Sequence, residues 1–85
     1  MLELLKEKFL NKEVNLVDLD NEVLRLVPDA HSIFDYDVRE MLENSFCYQC
    51  QTDTVPAGYN FEFEIVEDSE DATKIVAKVI DIFEV

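Results

Sequence analysis

The sequence predicts an α+β domain, with N-terminal helices packed on one face of a three-stranded antiparallel β-meander. Three observations predict it. Apolar residues recur at helical spacing up to about residue 45, the period falls to two from Phe46 onward, and a Pro–Gly signal separates the first two alternating runs. Eighty-five residues suffice for a single domain, 1–85, with a helical half at 1–45 and a β half at 46–85.

Leu2, Leu5 and Phe9 mark one face of a first helix that ends near Asn11. Leu19, Val23, Leu26 and Val27 follow an i, i+4, i+7, i+8 pattern, with Asp18 as the expected N-cap and Pro28 as the stop. Val38, Met41 and Leu42 mark a third helix, with Asp35 as its expected N-cap and Asp37 in its first turn, where both acids favour the helix dipole. Phe46, Tyr48 and Cys50 then alternate with polar neighbours. So do Tyr59, Phe61, Phe63 and Ile65, against Asn60, Glu62 and Glu64. Asp53 to Gly58, with Pro56 at a turn's second position, reads as the loop between them.

Residues 72–85 admit two readings. Apolar positions 75, 76, 79, 80, 82 and 83 fit a helix capped by Asp68 or Ser69, whereas the density of β-branched residues fits a strand. A helix would leave a two-stranded sheet, which is marginal for stability, so the strand is expected. An even-sum register would set Glu62 and Glu64 against Lys74 and Lys78 on the outer face and keep Phe61 and Phe63 beside Ile75, Ala77 and Val79. That register asks for a loop of three or five residues around Glu67 to Asp71.

An apolar fraction of 48%, nine aromatic residues, one glycine and two prolines describe a chain that folds. Its charge is unusual. Twenty acids face seven bases, a net of −13, beyond the magnitude of about 2–8 that suits a small domain. Residues 13–73 hold all of the surplus, with sixteen acids against Arg25 and Arg39 alone. Direct binding to nucleic acid or to an anionic membrane surface needs clustered Lys or Arg and is excluded as a main activity. Met1-Leu-Glu-Leu-Leu-Lys does not read as a signal peptide, and no apolar run approaches the roughly 20 residues of a membrane span. A cytoplasmic protein is expected.

No catalytic, metal or cofactor signature emerges. Cys47-Tyr-Gln-Cys50 is a lone C-x-x-C, and zinc would need further ligands from a chain whose one histidine is His31. On a strand, positions three apart face opposite ways, which disfavours both chelation and a disulfide between them, so two reduced cysteines are expected. His31 lies near Ser32, Asp29, Asp35 and Asp37, but closeness in sequence does not assemble a nucleophile, base and acid. Asp18-Leu-Asp20-Asn-Glu22 starts like a calcium loop, yet Val23 occupies the position that requires glycine. Pro28-Asp29 has no downstream lysine preceded by an acid two residues earlier, as a metal-dependent nuclease core would require.

The acidic surface is what remains. Its carboxylates could steer a basic partner and occupy sites meant for backbone phosphates. The expected function is therefore a non-enzymatic inhibitor or regulator that occludes a basic, nucleic-acid-binding protein or nuclease. The expected contacts on the helices are Asp18, Asp20, Glu22, Asp35, Asp37, Glu40 and Glu43. Glu67, Asp68, Glu70 and Asp71 would join them at a hairpin tip. By size and charge alone, the analogous proteins are phage inhibitors of restriction or CRISPR nucleases and immunity proteins that block basic nucleases. The alternative is an assembly module that self-associates as a homodimer through Val76, Ile80 and Ile82 on the second face of an unusually apolar last strand.

Overall fold

The computed structural model describes residues 1–44, 46–50 and 57–84, with side chains described throughout except at 44, 46–50 and 57. Three helices, α1 (Leu2–Phe9), α2 (Leu16–Leu26) and α3 (Val38–Asn44), accompany four strands, β1 (Glu13–Asn15), β2 (Phe46–Cys50), β3 (Ala57–Glu67) and β4 (Val76–Glu84). The sheet is antiparallel in the order β1-β4-β3-β2. Strands β2, β3 and β4 form the expected meander, and β1 adds a short fourth strand at its edge. Residues 76–84 are a strand, not a helix.

The first helix stops at Leu10, whose extended backbone leads into Asn11 at φ 64°. Asn tolerates that left-handed conformation better than most residues. The turn carries the chain onto β4, where Asn11 N–H donates to Val79 O at 2.7 Å and Val79 N–H to Lys12 O at 3.1 Å. A three-residue strand is too short to show a period, so β1 is invisible to pattern alone. The second helix is capped three residues before the expected Asp18. Its N-cap is Asn15, whose side-chain oxygen accepts from the N–H groups of Val17 and Asp18, while its amide donates to Thr73 O at 3.0 Å. It ends at Leu26, and Val27, at φ −128° and ψ 78°, has left the helical region ahead of Pro28, whose ring disfavours helical backbone before it.

Asp35 is not the cap of α3. It closes a 3-10 turn, Ile33–Asp35, capped by Ser32. Asp37 takes the capping role, accepting from Glu40 N–H at 3.3 Å, and its carbonyl accepts from Met41 N–H at 3.0 Å. Ala57 and Gly58 lie in β3, paired with Cys50 and Gln49, rather than in the loop; the Pro56 turn itself falls outside the described residues.

The even-sum register holds over Phe63↔Val79, Glu64↔Lys78 and Ile65↔Ala77 and is broken on either side. An extra residue at Ile80 shifts the pairing to Glu62↔Asp81 and Phe61↔Ile82, and an extra residue at Val66 gives Glu67↔Val76. The β3–β4 connection is longer than expected, because a second 3-10 turn, Ala72–Lys74, precedes β4. Lys74 therefore lies in the turn and does not pair with Glu62.

The core sits between the helices and one sheet face. Leu5 and Phe9 of α1, Leu16, Leu19 and Val23 of α2, and Val38 of α3 pack on Phe61, Ala77, Val79 and Ile82. The Phe61 ring meets Phe9 edge-on at 6.2 Å between centroids and stacks on Phe63 at 6.1 Å.

Candidate interaction surface

The acids expected to form one contact surface divide into three groups. Asp20 leaves the surface altogether. It is 4% exposed and its carboxylate accepts from Ser32 Oγ at 2.7 Å and Ile33 N–H at 3.0 Å, which ties the turn after α2 back onto the helix. Burial without these donors would be costly for a carboxylate, so its role is structural. Glu22 is half-buried and neutralised on the spot. Arg25 grips its carboxylate through Nε at 3.1 Å and also through Nη2, and Lys8 of α1 reaches it at 3.3 Å. The Arg25 guanidinium, helped by Lys8, holds the Glu22 carboxyl at about 2, below its ordinary 4.5.

The remaining acids are exposed. Asp35 ends the first 3-10 turn, Asp37 caps α3, and Glu40 and Glu43 follow on α3. Glu67, Asp68, Glu70 and Asp71 line the β3–β4 connection, and Asp18 stands in the first turn of α2. Arg39 joins two of these regions across 29 residues of sequence. Its Nη2 donates to Asp68 Oδ1 at 3.0 Å and to Ser69 O, and its Nη1 to Asp68 Oδ2 at 3.4 Å. This fork holds the Asp68 carboxyl below its ordinary range. At its other end the connection is secured by Asp71, which accepts from Thr73 N–H and Oγ1 and is itself lowered by those bonds, and by the Asn15–Thr73 contact. The acidic tip is thus fastened to α3 on one side and to the start of α2 on the other. Asp18, Asp35, Asp37, Glu43, Glu67 and Glu70 make no ion pair among the described residues.

Arg39 was legible only as an isolated base in an acidic stretch. Its partner is set by the long-range packing of α3, which no local pattern encodes. Of the residues expected to mediate self-association, Val76 is half-buried and Ile80 is 45% exposed, but Ile82 is fully buried in the core. The bulge at Ile80 reverses the alternation after it, so Phe83, not Ile82, joins the outer face.

His31 is exposed, and the adjacent Ser32 hydroxyl is engaged in the Asp20 bond and in capping Phe34 N–H. Cys47 and Cys50 both lie in β2, their backbones paired with Asn60 and Ala57. Among the described residues no three His, Cys, Asp or Glu side chains gather to hold a metal ion, and no helix is long and apolar enough to cross a membrane. A shallow groove beside α1, lined by Leu4, Glu7, Lys8, Phe9, Lys12 and Glu22, mixes both charge signs. No protein-family model, curated protein or solved structure matches this chain.

Proposed function

We propose that this chain is a binding protein whose acidic side, made of Asp18, residues 35–43 and the 67–71 connection, engages a basic, nucleic-acid-binding protein and blocks its phosphate-binding groove. One observation carries the reading: Arg39 fastens the acidic tip to an acidic helix, so carboxylates distant in sequence share one anchored surface. Anchored carboxylates lose little freedom on binding, and their summed field accelerates encounter with a cationic groove. Occlusion follows from competition, since a groove filled with carboxylates is closed to phosphates. Inhibitors of restriction or CRISPR nucleases, and immunity proteins against nucleases, form the functional class.

Three exposed acids outside the capping bonds test it: Asp35→Lys, Glu43→Lys and Glu70→Lys combined. The wild-type chain should capture from its native host a basic protein that elutes steeply with salt and is displaced by added DNA or RNA, and the triple variant should lose it. Equal capture by both chains, or release by neither salt nor nucleic acid, sinks the proposal.

A further inference from the structure

The helices pack on the sheet face that carries Phe61, Val79 and Ile82, leaving the reverse face open among the described residues. The register breaks leave Val66 and Ile80 on that reverse face, exchange Ile82 for Phe83 and bring Glu67 and Asp81 onto it. Ile80 sits with Asp81 opposite Glu62, and Val66 sits with Glu67 opposite Val76. With Phe83 opposite Asn60, the result is a stripe along β4: Val66 and Val76 at one end, Ile80 in the middle, Phe83 at the other. Val66 is 44%, Ile80 45% and Phe83 38% exposed. At about 3.3 Å per residue the stripe runs about 23 Å.

Carboxylates flank it. Glu13, Glu62, Glu64, Glu67 and Asp81 share this face with a single cation, Lys78, because Lys74 lies in the turn before β4. None of the five takes part in an ion pair among the described residues. An apolar centre bordered by five acids against one lysine has a specific complement.

We propose that the reverse sheet face docks a basic amphipathic helix of a partner protein. A second copy of this chain fits poorly, since it would bring five more carboxylates and only one lysine against the same five. A purely polybasic segment would leave the apolar stripe uncovered. A helix of about 15 residues matches the stripe in length at about 1.5 Å per residue. Its apolar face covers Ile80 and Phe83 while lysines or arginines on its flanks meet the acids. This surface shares only Glu67 with the α3 and loop side invoked above, and neither set of substitutions touches Glu67, so the two readings fail independently.

The probe is a synthetic helical peptide of about 15 residues, with leucines on one face and lysines elsewhere, compared with a scrambled peptide of the same composition. The full chain should bind the amphipathic peptide at least about tenfold more tightly, the weight of a few buried apolar groups. Amide shifts in the wild-type chain should cluster at Val66, Val76, Ile80 and Phe83, which needs no variant. Ile80→Ser with Phe83→Ser should abolish the preference, and the Asp35→Lys, Glu43→Lys, Glu70→Lys variant should retain it. Equal affinity for both peptides, or shifts centred on α3, overturns the proposal. So does a peptide-free dimer in sedimentation that Ile80→Ser and Phe83→Ser dissociate, which would assign the face to a second copy.

Discussion

Two carboxylates on α2, one turn apart or less, meet opposite fates. Asp20 is buried against two donors, and Glu22 is half-exposed against two cations. Asp20→Ala leaves the buried Ile33 N–H without its acceptor, a loss of about 1–3 kcal/mol in urea unfolding. Asp20→Asn, which keeps an acceptor oxygen, should lose less; equal stability of the alanine variant and the wild type would remove the clasp from the account. The position was readable in part, because Asp20 follows Leu16 by four and precedes Val23 by three, on the buried arc of the helix. For Glu22 the folded-state value of about 2 lies below the ordinary 4.5, so its ion pairs contribute fully above about 4.5 and fade as pH falls through about 2. The stability gap between wild type and Glu22→Gln should close across that interval. A gap that stays constant with pH would contradict the pairing.

At the scale of elements, β4 holds the decisive irregularity. Strict alternation puts Ile80 and Ile82 on one exposed face, whereas the bulge leaves Ile80 there and sends Ile82 to the core opposite Phe61. Ile82→Ala should therefore cost about 2–5 kcal/mol and Ile80→Ala about 0.5 kcal/mol or less, measured by denaturant unfolding. Equal costs would restore the regular ladder. The bulge was not legible because one inserted residue has no residue-type signature in a strand apolar on both faces. The helix starts slipped for a related reason. Asn15 and Asp37 outcompete Asp18 and Asp35 as caps because β1 and the first 3-10 turn, neither visible in the periodicity, set where the chain arrives.

The whole molecule carries its −13 charge with only three ion-paired contacts among the described residues, and two of them share Glu22. Repulsion therefore outweighs pairing at neutral pH. Raising ionic strength from about 0.01 M to about 0.15 M shortens the screening length from about 30 Å to about 8 Å, so the melting temperature should rise. A fall would mean that Arg39–Asp68 and the Glu22 cluster outweigh the repulsion. The same screening should weaken capture of a basic partner, so stability and binding move in opposite directions with salt.

By itself the sequence determined the α+β class, the meander with a strand within residues 72–85, and the apolar faces of the three helices described. The helices and the first two strands of the meander follow from periodicity, a local property of side-chain spacing, and the last strand from its β-branched content and the marginality of a two-stranded sheet. It also located the surplus of acid between residues 13 and 73. Only the tertiary structure decided which acids face the solvent, since burial of Asp20, the Lys8 contact to Glu22 and the Arg39 fork on Asp68 depend on segments 12 or more residues away. It alone decided the sheet's outer face as well. Two bulges and a longer connection placed Phe83, Asp81 and Glu67 there, sent Ile82 to the core and kept Lys74 away, because register is set by packing between strands and not by the pattern within one.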